Sequence, residues 1–301
     1  MYTKFMYISS LYILMCMPSL AYAIPLEARI SGAMDWESLK INAAISVDVK
    51  DSGLPLPSGR GLMEDALAAS FYAKIEPFIL SIPVDSSTVL GDWVNRGDLS
   101  PAVVDALAGG AGRVPTVFSR DFTVMSASYR IDLADVSQKL IRHTRSVDIR
   151  TALQPVESPA YTGILIIASE ELPFHGHRSN RFLVPCLFPR IWDTDMNLIY
   201  EKNMVNQNVF KTDTMIRYTK SDNIFQKSPS GISPEVEKII GNKPLRIIAR
   251  GVFGISATDP IIDTNDALQI ISSESNRRLL REGKVVIVLS DSVLVKNISD
   301  K

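Results

Sequence analysis

Leu39, Ile41, Ala43, Ile45, Val47 and Val49 alternate with Ser38, Lys40, Asn42, Ala44, Ser46 and Asp48. Only an extended chain puts every second side chain on the same side, so this run predicts a strand with one buried face. After the turn-rich residues 51–61 the period changes. Met63, Leu67, Phe71, Ile75 and Phe78 recur every three or four positions, which is the stripe of an amphipathic helix that Pro77 ends or kinks. Residues 101–108 predict a short second helix, with Pro101 in its first turn and Gly109-Gly110 after its last. A second long strand puts Met125, Ala127, Tyr129, Ile131 and Leu133 on one face, and Val136 with Leu140 starts another helical stripe. This order implies an α+β fold, with helices packed on mainly antiparallel sheets.

The second half begins with a buried-strand candidate at 161–168. Short strands at 190–192 and 198–200 then flank Asp193-Thr-Asp195-Met-Asn197, with hairpin spacing and turn-forming residues. Residues 202–235 are polar and poorly periodic, apart from a short strand candidate at 215–218, and predict a mobile or edge segment. Residues 245–252 and 285–289 predict strands. Between them Asp263 or Thr264 can cap a helix containing Ala267, Ile270 and Ile271, which 276–282 continues and Gly283 stops. Two prolines break the periodicity over 151–159. The expected division is an N-terminal α+β module at 24–150 and a C-terminal α+β module at 160–301.

Residues 1–23 read as a secretory signal. Lys4 gives a positive end, an apolar run extends from Phe5 to about Met17, and Ala21-Tyr22-Ala23 offers small residues for cleavage after Ala23. The run is shorter than the roughly 20 residues a membrane helix needs, and Pro18 follows it. Lipidation of Cys16 competes with cleavage; the bulky Met15 before it and its place inside the run argue against it. If Ala23 is the last residue removed, Cys186 is the one cysteine left, and no internal disulfide forms. The expected location is therefore periplasmic or associated with the outer membrane.

The chain carries 32 basic and 33 acidic residues, so it lacks the basic field that supplies nonspecific nucleic-acid affinity. Three histidines and two cysteines leave little for a zinc cluster. His175, His177 and Cys186 are the most metal-like group, yet their spacing fits no established zinc pattern and no fourth Cys or His lies nearby. An exposed loop followed by a buried cysteine explains them, and His143 beside Arg142 reads as a solvated helix-end residue. Asp193 and Asp195 are too few for a calcium loop, which would also need glycine after Asn197. Among Asp259, Asp263 and Asp266, helix capping explains Asp263. The glycines of 108–112 follow a predicted helix, the wrong polarity for a phosphate cradle. Arg277, Arg278, Arg281 and Lys284 form a basic patch that reads as a solvated face, with docking of an acidic partner as the alternative. No G-x-S-x-G, H-E-x-x-H or Walker A segment occurs. No catalytic, cofactor-binding or metal residue is assigned.

The pieces Tyr161-Thr-Gly-Ile-Leu-Ile-Ile-Ala168, Pro189-Arg-Ile-Trp-Asp-Thr-Asp195, Asn242-Lys-Pro-Leu245, Thr258-Asp-Pro-Ile-Ile-Asp-Thr-Asn-Asp-Ala267 and Gly283-Lys-Val-Val-Ile-Val-Leu289 resemble, in order and spacing, the C-terminal module of bacterial envelope proteins of the FlgP and LPP-lipoprotein type. Ile167 and Ser169 depart from the pattern, where an aspartate and an arginine would follow the first strand. The resemblance implies a non-enzymatic structural or adaptor subunit of a cell-envelope or flagellar-motor-associated assembly, which self-associates or binds envelope or basal-body proteins. The competing expectation is a periplasmic metal-binding protein or hydrolase using the His175, His177 and Cys186 loop.

Overall fold

The computed structural model describes residues 27–299 except 54, 111, 227 and 228. The expected signal segment 1–23 lies outside the described residues. In the first half, chain order runs β1 (Arg29–Asp35), β2 (Lys40–Asp48), α1 (Arg60–Leu80), α2 (Leu90–Asn95), α3 (Pro101–Gly109), β3 (Gly112–Arg113), β4 (Val117–Phe118), β5 (Val124–Asp132) and α4 (Leu133–Leu140). The second half contains β6 (Ile164–Ala168), β7 (Leu172–Pro173), β8 (Asn180–Arg181), β9 (Ile191–Asp193), β10 (Leu198–Tyr200), β11 (Arg217–Lys220), α5 (Pro234–Ile240), β12 (Leu245–Ile248), β13 (Gly251–Phe253) and β14 (Asp259–Ile262). It ends with α6 (Thr264–Ser272), α7 (Glu274–Arg281), β15 (Val285–Leu289), α8 (Asp291–Leu294) and β16 (Val295–Ser299). This is an α+β fold in two modules.

The first sheet is antiparallel, in the order β16-β1-β2-β5-β3 with β4 also on β5. Its inner face carries the alternating residues read from the sequence: Ile41, Ala43, Ile45 and Val47 on β2 and Met125, Ala127, Tyr129 and Ile131 on β5, all buried. The stripe Met63, Leu67, Phe71, Ile75 and Ile79 of α1 supplies the cover, and the Phe71 ring stacks on Tyr129 at 3.6 Å. Pro77 does not end α1, which runs three residues further to Leu80. The strand at 38–49 is shorter than its alternation: Leu39 sits in the turn at φ +55° and β2 starts at Lys40.

Four strands of this sheet are absent from the sequence reading: β1, the two-residue strands β3 and β4, and β16, which falls within 160–301 yet is hydrogen-bonded to β1 in the first module's sheet. The second module's central sheet, β11-β15-β6-β12, is parallel throughout. It is buried on both faces, so β15 reads as an unbroken apolar run. Ile164, Ile166, Val285, Ile287 and Leu289 join a continuous core that also includes Ile45, Phe71 and Ile131 of the first module. Leu165, Val286 and Val288 face a smaller cluster with Val236 and Ile240 of α5. Residues 245–252, read as one strand, are two: β12 belongs to the parallel sheet and β13 to the separate sheet β10-β9-β14-β13. The polar stretch 202–235 packs through Met204, Val205, Phe210, Met215 and Ile216, and its strand β11 is an edge of the parallel sheet. No helix among the described residues is long and apolar enough to cross a membrane.

Candidate functional site at the module junction

The turn between β1 and β2 reaches the edge strand β11. Trp36 is buried at this turn, its ring edge-on to Tyr218 at 6.0 Å, and its main-chain N–H donates to the Leu294 carbonyl at 3.0 Å. Next to it, Glu37 Oε1 accepts hydrogen bonds from Thr219 Oγ1 (2.8 Å), Lys220 N (3.3 Å) and Asn223 Nδ2 (2.7 Å). A sheet edge exposes unpaired N–H groups, and the Glu37 carboxylate covers one of them.

Below this turn lies a buried polar node. The Tyr218 hydroxyl donates to the Cys186 carbonyl at 2.8 Å and accepts from the Cys186 N–H at 3.2 Å. Asp259, fully buried, accepts from Arg190 N (3.1 Å), Trp192 Nε1 (3.4 Å) and Thr258 Oγ1 (3.1 Å). Burial pushes its carboxyl above the ordinary range despite these donors. Burial, with Asp259 adding to it, pushes the Cys186 thiol well above its usual value. The thiolate is the nucleophile and the metal ligand, so a thiol held protonated here serves neither role.

A third contact seats the Lys202 ammonium over the rings of Trp93 at 4.5 Å and Phe188 at 4.9 Å. Burial lowers the Lys202 pKa, and the Asp85 charge opposes that shift. Beside it the first module's stretch 83–86 is zipped to the second by main-chain bonds. Leu187 N–H donates to Pro83 O (3.0 Å), Phe188 N–H to Val84 O (2.8 Å) and Ser256 N–H to Ser86 O (2.9 Å).

No helix or strand is formed between α4 and β6. That connection is tied down instead. His143 Nε2 lies 2.9 Å from Val205 O, Val147 N–H donates to Asn203 O, and Val156 N–H donates to Ser272 Oγ. Buried Asn276 accepts from Tyr161 N–H at 3.1 Å, and its amide donates to Ser158 Oγ, Pro159 O and Gln269 O, each at 3.0 Å.

The metal reading of the His175, His177 and Cys186 loop is corrected by this geometry. Both histidines are exposed near the β7–β8 turn: His177 stacks on Phe174 at 4.1 Å and His175 stands edge-on to Phe253 at 5.6 Å. Cys186 is buried in the node. Among the described residues no three His, Cys, Asp or Glu side chains are grouped to hold a metal ion. His143 is also not a solvated helix-end residue, since it binds Val205 O and meets the Phe210 ring edge-on.

The carboxylate pair is divided between two tasks. Asp193 is buried and accepts from Asn197 N and Nδ2, closing the β9–β10 turn, while Asp195 accepts from Thr264 Oγ1. Asp263 caps α6 through Asn265 N as expected, whereas Asp259 belongs to the buried node. Gly109 ends α3 and Gly112 starts β3, so the glycine segment runs from helix to strand. The basic patch on α7 is internally paired: Arg277 and Arg281 hold Glu274, and Arg278 and Lys284 hold Glu282.

Glu37, Lys202, Trp36 and Trp93 are the junction residues that sequence reading did not find. Trp36 and Trp93 are two of only three tryptophans in the chain. Each large ring must be buried somewhere, and that signal would have marked both.

No curated protein matches the chain. Residues 27–139 match the family model described as the N-terminal domain of Treponema pallidum Tp0624, and residues 163–291 match that of its second domain. β16 lies beyond both matched ranges. The chain thus carries two domains of the type found in this spirochete protein, an N-terminal Tp0624 domain followed by a second Tp0624 domain.

Proposed function

We propose that this chain is an exported, non-enzymatic bacterial envelope protein, acting as a structural or adaptor subunit of an envelope or flagellar-motor-associated assembly and associating with itself or with envelope proteins. The observation that carries this reading is the use made of its reactive groups at the junction. Glu37 with Asn223, Lys202 with Trp93 and Tyr218 with Trp36 fasten one module to the other, while Cys186 and Asp259 are engaged in hydrogen bonds inside the second module. Their hydrogen bonds and ring contacts suit a rigid body that presents surfaces to a partner. Residues 1–23 support export, and the resemblance of 161–289 to FlgP and LPP-lipoprotein modules supports the envelope role.

The test is osmotic-shock and membrane fractionation of the source cells, with intact-mass measurement of the recovered chain. A chain starting at Ile24 in the periplasmic or outer-membrane fraction is expected. Unprocessed protein confined to the cytoplasm would overturn the proposal.

A further inference from the structure

β16, the last strand among the described residues, is sequence-contiguous with the second module but serves the first. β16 pairs with β1 alone, over five residues from Ser31↔Ser299 to Asp35↔Val295. It follows β15 of the parallel sheet through the four-residue helix α8. Its hold on the core is small. Leu294 and Ile298 are buried, whereas Val295, Lys296, Asn297 and Ser299 are exposed. A strand held by so few buried groups opens before the body of the fold does. Opening would leave β1 with a row of unpaired main-chain groups, a template that accepts another strand.

We infer that β16 is exchanged between copies, so that residues 294–299 of one molecule complete the β1 edge of another. The occupant is defined by the interface already made within the chain: an identical segment fits the same slot in the same register, with Ile298 and Leu294 as its two anchors. The ladder that opens in one molecule forms again, bond for bond, between two, so the balance is set by concentration. Dilute protein keeps its own strand. Copies held side by side in an assembly trade strands. This inference rests on the self-association included in the proposed function, and names its mode.

Ala33 and Asn297 are opposite one another in the β1–β16 ladder. In protein beginning at Ile24, Ala33→Cys and Asn297→Cys are made singly, mixed at high concentration and oxidised; the buried Cys186 stays out of reach of the oxidant. A disulfide joining the two single variants is expected, because only an exchanged strand brings position 297 of one copy to position 33 of the other. The double variant, oxidised when dilute, closes within one chain and should remain monomeric at concentrations where the unmodified protein associates, until a reductant is added. No mixed disulfide, with association undiminished in the closed double variant, overturns strand exchange and leaves self-association standing. Sedimentation as a monomer at every concentration, with no mixed disulfide, removes self-association and exchange together.

Discussion

Gly254 and Ser86 are pressed together where the two modules meet: a Cβ built on the glycine would lie 2.3 Å from the Ser86 Cβ, and Gly254 holds φ at +93°. Both conditions exclude a side chain. Gly254→Ala should destabilise the fold by about 2 kcal/mol or more through backbone strain and overpacking. Urea unfolding should show a lower midpoint. An unchanged midpoint would mean that the modules do not approach here.

The Glu37 contact separates charge from shape. All three donors meet Oε1, and a glutamine oxygen can accept the same bonds. Glu37→Gln should therefore cost less than about 1 kcal/mol, whereas Glu37→Ala strands the Asn223 and Thr219 donors and should cost about 2 kcal/mol. Hydrogen exchange at the Lys220 amide should quicken in the alanine variant and stay close to wild type in the glutamine variant.

Two aspartates give opposite pH signatures. Burial raises the Asp259 carboxyl, so ionising it costs more in the folded chain than in the unfolded one. Its contribution to stability is greatest below the ordinary value of 3.8 and falls as pH rises from there through the raised folded value. Hydrogen bonds from Ser119 and Thr123 hold Asp121 down at about 2. That stabilisation is present above 3.8 and lost as pH falls through about 2. Unfolding midpoints followed between about pH 2 and 7 should lose the acid-side fall in Asp121→Asn and the alkaline-side fall in Asp259→Asn. The second variant should also lose about 2 kcal/mol throughout, because an amide NH2 next to Trp192 Nε1 or the Arg190 amide opposes donor to donor.

Cys186 should resist thiol reagents in the native protein, since it is buried and its thiolate is disfavoured. Labelling should appear only in denaturant, with a rate that tracks unfolding. Fast labelling of folded protein would show that the node is open to solvent.

What could be read from the sequence was what local periodicity encodes. The Met63 to Ile75 stripe and the Met125 to Ile131 alternation each bury one face, and a buried face leaves its period in the chain. β1 and β16 left no such mark. Arg-Ile-Ser-Gly-Ala-Met-Asp is interrupted by Gly32 and is held as a strand by the adjacent β2, whereas Val-Lys-Asn-Ile-Ser turns only Ile298 inward and is a strand through pairing with β1 across almost the whole chain. Leu39 fits the strand alternation because its side chain is buried, but a positive φ reaches the same core from a turn. The same limit affects the junction. His175, His177 and Cys186 are neighbours in sequence, and the β7–β8 turn sends the histidines outward while the cysteine goes inward. Glu37 and Asn223 are far apart in sequence and share one hydrogen bond.

The most direct test of an envelope-subunit role is whether the protein travels with detergent-purified envelope assemblies, flagellar basal bodies included, from cells carrying it at native level. A predicted positive result is recovery in a particle that sediments far faster than the monomer, after washing that removes soluble periplasmic proteins. Release by osmotic shock as a free monomer, with none left in the purified assemblies, would contradict it.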